Sequence, residues 1–557
     1  MASFVRITVL AWADILTAYA LFVMMPYLTT VWNLNITRAA AIVNVFYGVV
    51  SIMPIGMAFL VDAFIGDYWM LLLSSLAYSI GVSFLAMSTP PVLSNAAGNC
   101  GAYKPDCIGD TQKALFYTAL ALIAIGMSGH ITSLEYFLNQ QIKKNQKSDQ
   151  DDSEKQQPTN QQIKKNQKSD QDESEKLETT PCQALGMFSA IIFPTVGCIA
   201  LPYIKPWSVR FGIPAICTVV ATFLFTTGRR RSYKHSRPKG SPLTTICRVF
   251  VASASNMFHH LPPDDNPLPH TRSLRCLDKA VIKTQNQEQN RWKLCTKEEV
   301  KDTKMVIRMI PMWMTFIMCG VVISIGNTYF LEQATDMNRK VGKFKVPLPI
   351  LKFFYDLVKD HFKGLYVKVT KKVIPGKYVP PYGIIVAMLF SILCCITAAE
   401  VETRRLDVIQ RHGLLDKPND STKKIPMSMF WLLPQFLLLG AVEGMSNLSI
   451  DQFFTNQAPA PMRRYLNLFT HGVIGAGTVC GVLSVYVVGK VSERGGRPSW
   501  FQDTLNKSRL DNYYWTLTVL SSINLILYIL VALQYTFKDP PNEDGSEAAK
   551  SEGSAQP

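Results

Sequence analysis

The sequence predicts an all-α membrane protein that crosses the bilayer many times. Apolar stretches of about 20 residues recur along the chain, and a helix of that length crosses the roughly 30 Å hydrocarbon core of a bilayer. Of the 557 residues, 48% are hydrophobic and 18% are charged. Eleven stretches meet this length: 7–31, 38–60, 69–89, 114–138, 184–204, 211–228, 305–331, 381–400, 427–450, 466–490 and 512–536.

The amino-terminal stretch, 7–31, is too long for the apolar part of a cleavable signal peptide, and no small-residue cleavage site precedes the next stretch. We expect it to remain as the first membrane helix. Cys100 and Cys107 share the polar segment after the third stretch, which the topology places outside. Both a disulfide and two free thiols are compatible with that position.

The chain carries 57 basic and 41 acidic residues, a formal net charge of +16. The excess is greatest in 229–304, which holds 16 Lys and Arg against 7 Asp and Glu. Basic loops between membrane helices lie on the cytoplasmic side. We therefore interpret this segment as a cytoplasmic linker and expect no nucleic-acid partner.

A tandem duplication follows the fourth stretch. The sequence NQQIKKNQKSDQDDSEK at 139–155 recurs with one substitution at 160–176, a period of 21 residues. It is polar and lacks hydrophobic periodicity, so it cannot bury enough surface to fold by itself. We predict a disordered cytoplasmic loop over 139–180.

The linker divides the chain into two helical parts, 1–228 and 305–537. An interfacial amphipathic helix is predicted around 291–304, where apolar residues are spaced among charges. The acidic residues 538–557 are predicted to form a disordered tail.

Six stretches precede the linker, but only five follow it. The missing span is predicted at 347–370, where Ile350, Phe353, Leu357 and other apolar residues keep helical spacing. The opposite face carries lysines and aspartates three and four residues apart, which can pair. Either a membrane helix facing an aqueous cavity or an interfacial helix fits this pattern.

Short motifs recur in one order over nearly the whole chain. They are NVFYG (44–48), DAFIGDYW (62–69), FGIPA (211–215), GSPLT (240–244), RCLDKA (275–280), WKLCT (292–296), RMIPMW (308–313), EVETRRL (400–406), QFF (452–454) and LNKSRLD (505–511). In this the chain resembles the plant nitrate transporter 1/peptide transporter family, which belongs to the proton-coupled oligopeptide transporters of the major facilitator superfamily. The resemblance implies a major facilitator fold of twelve transmembrane helices in two six-helix bundles. It also implies a substrate site near the membrane midplane that opens alternately to each side.

Proton-coupled members carry an E-x-x-E-R motif in the first helix, and this chain lacks it. Asp14 is the acidic residue that remains there. A carboxyl group inside a span costs about 2.5–3.5 kcal/mol on insertion scales, so we expect Asp14 to face a cavity. A transport role and a helix-contact role both fit.

In the fourth helix Ile131 stands where the family has a lysine, and His130 lies beside it. A histidine can titrate near physiological pH, so His130 is a candidate proton or anion site. A packing histidine is the alternative. The cation that would hold a peptide carboxylate is therefore missing from its family position.

The tenth helix keeps the family's cavity acid as Glu443, followed one turn later by Asn447. Glu443 is the first candidate for a substrate or proton contact. The seventh helix has no histidine at the position expected for a nitrate site. Asn327, Tyr329 and His471 remain as possible substrate contacts.

Four charged residues at the predicted cytoplasmic ends are candidates for conformational gating: Asp62, Asp67, Asp451 and Arg463. Asp67 replaces an arginine of the family pattern, which reverses the charge at that position.

The predicted function is secondary transport of a small solute by alternating access, with nitrate as the first candidate substrate. Proton coupling is implied by the resemblance but weakened by the missing motif. A proton-independent facilitator or exporter, a di- or tripeptide transporter and a non-transporting receptor or scaffold are the alternatives.

The sequence shows no catalytic set, metal-binding pair or phosphate-binding loop, so we predict neither an enzyme nor a metal site. No cofactor is expected beyond a proton gradient. The expected partners are a small-molecule substrate and the lipid bilayer. The predicted location is the plasma membrane or the vacuolar membrane.

Overall fold

The computed structural model describes residues 2–90, 92, 108–155, 200, 203–204, 206–228, 240–258, 274–282, 292, 295–415, 424–535 and 537. The α-helices are α1 (Ala2–Phe22), α2 (Met24–Thr30), α3 (Ile36–Leu60), α4 (Gly66–Met87), α5 (Asp110–Lys155), α6 (Trp207–Thr226), α7 (Pro242–Ser255), α8 (Lys297–Ile325), α9 (Leu331–Asp336), α10 (Pro349–Val373), α11 (Val379–Arg411), α12 (Leu433–Gln457), α13 (Leu466–Ser492) and α14 (Leu510–Gln534).

Short irregular elements connect these helices. Five-residue π-helical segments join α3 to α4 and α8 to α9, at Val61–Ile65 and Gly326–Phe330. The strands are β1 (Met337–Asn338), β2 (Lys340–Val341), β3 (Phe344–Lys345) and β4 (Ile425–Ser428). β1 pairs with β4 in parallel, and β2 pairs with β3 antiparallel.

The all-α membrane fold is confirmed. In the described part of the chain, nine helices are long and apolar enough to cross a membrane, and the one over Ile36–Met87 has 52 residues and contains both α3 and α4. The predicted span 184–204 lies almost entirely outside the described residues. Cys100 and Cys107 also lie outside them.

The contacts group the described helices into two compact units. The first comprises Met1–Val23 and Phe64–Pro238, and the second comprises Met24–Ala63 and Lys239–Pro557. In the first unit, α4 packs on α5 and α6, and α1 packs on α6. In the second, α3 pairs with α13, α10 with α12, and α11 with both α12 and α14. The predicted division into parts at 1–228 and 305–537 stays a prediction.

The predicted missing span corresponds to α10, a helix of 25 residues, which at 1.5 Å per residue is about 37 Å long. Its charged residues at 352, 356 and 359 are half-buried, with side chains 22–26% exposed. The exposed side chains on this helix include the apolar Phe353, Leu357, Leu365 and Val369 and the polar Asp360, His361 and Lys368. The inward position of the charges at 352, 356 and 359 agrees with a helix that faces a polar interior, and the choice between a spanning and an interfacial helix stays a prediction.

One segment expected to lack order is helical, and one predicted helix belongs to a longer one. The first copy of the duplication, 139–155, continues helix α5 to Lys155, and its four lysines and four glutamines favour a helix. The second copy, 160–176, lies outside the described residues. The predicted interfacial helix at 291–304 is not a separate helix. Its residues from Lys297 onward form the first turns of α8, because Thr296 and Glu299 form a capping box that starts the helix at Lys297.

The basic linker also contains packed structure that the sequence analysis did not anticipate. Ser241 caps α7, and a 3₁₀ helix follows at Arg275–Val281. These elements and the start of α8 share a small apolar core that includes Val249, Leu277 and Val300.

A buried polar network ties three elements of the second unit together. The Arg405 guanidinium donates to both oxygens of Glu402, at 2.7 and 2.8 Å, and neither side chain is exposed to solvent. Gln333 on α9 donates to Glu402 at 2.6 Å, and Arg405 also donates to Asn506 at 2.8 Å. α9, α11 and the segment before α14 are therefore joined at one buried ion pair.

We expect Glu402→Ala to lower the free energy of unfolding by about 3–5 kcal/mol, because it leaves the buried Arg405 charge unpaired. The apparent melting temperature of the purified protein in detergent measures this loss. The matched control is Glu400→Ala, since Glu400 lies two residues away on the same helix and is exposed. Equal melting temperatures for the two variants would contradict the role given to the network.

Candidate functional site

Two residues singled out by the sequence meet in the first unit. His130 on α5 lies with Nδ1 at 2.9 and 2.8 Å from the two carboxylate oxygens of Asp14 on α1. The other ring nitrogen, Nε2, is 2.8 Å from the Ser75 hydroxyl on α4. His130 is 4% exposed, while the Asp14 side chain is 25% exposed. Three helices thus hold a titratable pair in which the acid keeps access to solvent.

The Ser75 hydroxyl lets this pair accept either protonation state of His130. The Ser75 oxygen is also 2.7 Å from the Leu71 carbonyl, to which it can donate. When it does so, it can accept a hydrogen bond from Nε2–H of a protonated imidazole. When the imidazole is neutral with its proton on Nδ1, the hydroxyl can rotate and donate to Nε2 instead. Both states therefore keep a complete set of hydrogen bonds around the ring.

The edge of the Tyr78 ring packs on His130, with ring centroids 5.4 Å apart. Ser75 and Tyr78 were not predicted from the sequence, because serine and tyrosine in an apolar helix carry no signal of their own. Their spacing of three residues on α4, which places both on one helix face, was the available hint.

Glu443 meets a lysine in the second unit. The Nζ atom of Lys359 on α10 lies 3.6 Å from Glu443 Oε1 and 3.3 Å from Asp356 Oδ1. Lys352 approaches both oxygens of Asp356, at 3.2 and 3.0 Å. The sequence analysis noted these α10 charges as a helix face but did not connect them with Glu443.

Two glycines of α12 bring these helices together. A Cβ on Gly440 would lie 2.7 Å from the Tyr355 carbonyl oxygen, and one on Gly444 would lie 2.5 Å from that of Lys359. Side chains would not fit against backbone at these distances. The GAVEG sequence at 440–444 therefore allows the α10 backbone to pack directly beside Glu443.

The other predicted contacts lie apart from these pairs. Asn447 and Asn327 are half-buried, and Tyr329 is buried against the rings of Phe501 and Tyr513. Tyr329 lines a cavity of about 370 Å³ together with Asn44, Lys490 and other residues of the second unit. Among the described residues, no hydrogen bond joins Asn327, Tyr329 or Asn447 to Glu443.

His471 on α13 is exposed. Its ring interacts electrostatically with Lys359 and Lys363 of α10. This places a titratable ring beside the α10 lysines, which the sequence analysis did not expect.

The gating candidates fall in different surroundings. Asp62 forms an ion pair of 3.1 Å with Arg464, the residue after the predicted Arg463, which is exposed. Asp67 is buried at the start of α4. Asp451 is half-buried on α12.

The surroundings of Asp62 link three segments of the second unit. The Gly240 amide donates to the Asp62 carbonyl at 3.2 Å, and the hydroxyls of Ser241 and Tyr465 are 2.9 Å apart. The end of α3, the start of α7 and the segment before α13 therefore meet at the Asp62–Arg464 pair.

Comparison with known proteins gives consistent matches. The model of the POT family, PTR2, matches residues 179–501. The Arabidopsis thaliana protein NRT1/PTR family 5.5 is 41% identical over 551 residues, which cover 95% of this chain and 96% of that protein. NRT1/PTR family 8.1 from the same plant is 29% identical, covering 92% of this chain and 90% of that protein.

Solved structures share the fold at low identity. An auto-inhibited POT family peptide transporter matches with a TM-score of 0.66 and 16% identity, covering 97% of this chain and 98% of that one. The POT family transporter PepTSo matches with a TM-score of 0.63 and 17% identity, covering 96% and 98%.

We expect Gly444→Ala to separate α10 from α12 and lower the melting temperature, because the new methyl group would meet backbone at 2.5 Å. Gly364→Ala is the matched control, since a Cβ there meets nothing within 4 Å. The control should melt at or slightly above the wild-type temperature, because alanine favours a helix over glycine by about 0.8–1.0 kcal/mol. If Gly444→Ala has the same melting temperature as the control, the close packing beside Glu443 does not contribute to stability.

Proposed function

Because this chain belongs to the POT family of membrane transporters, we propose that it moves a small solute, with nitrate as the first candidate, by proton-coupled alternating access. The observation that carries the proposal is the Asp14–His130–Ser75 arrangement of the first unit. A proton-coupled carrier needs a titratable group whose protonation changes the contacts that hold a conformation. The first helix lacks the E-x-x-E-R motif that fills this role in related proteins, and Asp14 with His130 is a candidate replacement.

The chemistry of the pair suits a proton carrier. Protonated His130 and ionised Asp14 attract each other and hold α5 against α1. Loss of the proton removes the charge attraction but leaves the hydrogen bond from Nδ1–H to the carboxylate, with Ser75 turned to Nε2. Protonation would therefore change the strength of the α1–α5 contact without leaving an unsatisfied buried group.

The charge pattern favours a small anion over a peptide. Peptide recognition in the family uses the tenth-helix acid for the peptide amine and cations for the carboxylate. Here Glu443 already has Lys359 as a counter-ion at 3.6 Å, and Ile131 stands at the family's lysine position. A peptide would have to displace that lysine from Glu443, whereas nitrate needs only a cation and hydrogen-bond donors.

The Asp62–Arg464 pair is our candidate latch for one conformation. Both side chains are about 16–17% exposed, so the pair is stronger than a fully exposed one. Since it joins the end of α3 to the segment before α13, it must break if these elements separate during transport.

The decisive experiment measures labelled nitrate flux into proteoliposomes at fixed membrane potential, with and without an inward proton gradient. We expect gradient-driven accumulation by the wild type. Equilibration that ignores the gradient would instead indicate a facilitator. No flux of nitrate or of a dipeptide above that of empty vesicles would favour the receptor or scaffold alternative.

In the same assay, Asp14→Asn should reduce gradient-driven accumulation by about tenfold, in line with typical coupling free energies. Exchange of nitrate at equal concentration on both sides should persist, because this variant removes the proton-linked charge and not the substrate site. Asp110→Asn is the control, since Asp110 on α5 is fully exposed. Undiminished accumulation by Asp14→Asn would exclude the pair from coupling.

We expect Arg464→Gln to change the initial rate of nitrate exchange several-fold, because Asp62 loses its partner and one conformation is weakened. Arg463→Gln, which alters an exposed neighbour, should leave the rate near that of the wild type. The double exchange Asp62→Arg with Arg464→Asp should restore much of the rate. A latch is ruled out if Arg464→Gln and Arg463→Gln behave alike.

A further inference from the structure

A ladder of four charged side chains crosses from α10 to α12 in the second unit. It runs from Lys352 to Asp356, then to Lys359, and ends at Glu443. The two lysines balance the two carboxylates, so the ladder as a whole is formally neutral. Neutrality is expected for charges within a membrane helix bundle. The distances between the four side chains are a separate feature of this ladder.

The distances between the charged groups increase along the ladder from Lys352 to Glu443. Lys352 donates to both oxygens of Asp356, at 3.2 and 3.0 Å, so the Asp356 charge is balanced without Lys359. The Lys359 ammonium donates to one Asp356 oxygen at 3.3 Å. Its distance to Glu443 is 3.6 Å, which is too long for a hydrogen bond. Lys359 therefore faces Glu443 as a charge and keeps donors that a third group could use.

The charged neighbours of Lys359 are the carboxylates of Asp356 and Glu443 and the lysines at 352 and 363. Lys363 follows one turn along α10, and His471 of α13 lies close to both lysines. The side chains of Lys359 and Glu443 are each 22% exposed, so the pair is not sealed between the helices. α8, α11 and α12 share an apolar core that includes Met312, Phe316 and Met388. The charged groups with described interactions at Glu443 are Lys359 and Lys352, both of α10.

We propose that Lys359 binds a small monoanion and that Glu443 is its displaceable counter-ion. This inference rests on the proposed function and identifies its substrate site. A proton taken from water by the Glu443 carboxylate neutralises that side chain and leaves Lys359 with an unbalanced charge. A monoanion that accepts hydrogen bonds from Lys359 restores neutrality. Proton and anion then enter together and leave together, because either one alone leaves a net charge in the bilayer.

The second unit provides a lysine of its own for an anion. Ile131 stands at the family's lysine position, and the neighbouring His130 ring is hydrogen-bonded to Asp14 and Ser75. The α10 lysine provides an ammonium group beside Glu443. Gly440 and Gly444 set its position relative to Glu443, since they fix the approach of the α10 backbone.

Thermal stabilisation of the purified full-length protein by added anions tests the site directly. The probes are nitrate, formate, acetate and glycylglycine in a chloride-free sulfate buffer. We expect nitrate to stabilise the wild type and Glu443→Gln to respond at about tenfold lower nitrate, because the competing carboxylate is gone. Lys359→Gln should require at least about tenfold more nitrate. Lys368→Gln, which changes an exposed lysine of the same helix, should match the wild type.

Lys359→Gln removes the lysine nearest to Glu443 and leaves Lys352 as the remaining cation that acts on it, so this variant also tests for a loss of stability. The double variant Lys359→Gln with Glu443→Gln removes both charges and keeps the ladder neutral. It should fold, as judged by its elution from a sizing column, and should not respond to nitrate. Lys359→Arg should retain the response, since it keeps the charge and its donors.

The site is overturned if Lys359→Gln or the double variant responds to nitrate like the wild type. It is also overturned if no small monoanion stabilises either the wild type or Glu443→Gln, or if glycylglycine alone does so. Flux measurements separate this inference from the proposed function. Lys359-dependent stabilisation without nitrate flux would retain the anion site and reject nitrate transport. Nitrate flux that Lys359→Gln leaves unchanged would support nitrate transport and reject Lys359 as its binding site.

Discussion

Charged side chains inside a bilayer must be paired or reach water, and this constraint accounts for much of the arrangement in both units. Three charged pairs illustrate this: Asp14 with His130 and Glu443 with Lys359 join two helices each, while Glu402 and Arg405 pair within α11. A membrane helix cannot hold an isolated charge cheaply. The first two pairs therefore fix which faces of two helices must meet, and the third is joined to neighbouring elements by further hydrogen bonds.

The three pairs differ in exposure, and this difference distinguishes one structural pair from two candidate functional pairs. Glu402 and Arg405 are fully buried and surrounded by further hydrogen bonds. Removing one partner there is costly, so the pair suits a permanent junction. Asp14 and Glu443 keep roughly a quarter of their side-chain surface exposed. Such carboxylates can exchange protons or counter-ions with water while still being held by a neighbour.

Helix α10 shows how tertiary context reverses the usual meaning of an amphipathic pattern. In a soluble protein the apolar face would be buried and the lysines exposed. Here Leu357 and Val369 are exposed, while the side chains at 352, 356 and 359 are half-buried and Lys359 meets Glu443 of α12. A polar interior explains this placement, and glycines of α12 make room for it. These three charges thus become part of the protein interior, although Asp360 and Lys368 of the same helix are exposed.

The sequence by itself determined the membrane class, the position of most spans and the family, because hydropathy over about 20 residues and ordered motifs are local properties. It also selected Asp14, His130 and Glu443, since an ionisable residue within an apolar stretch stands out. The tertiary structure alone decided their partners. Lys359 and Glu443 are 84 positions apart in the chain, and Ser75 and Arg464 carry no signal that separates them from their neighbours. Pairing depends on which helix faces meet, and no local pattern in the chain encodes that.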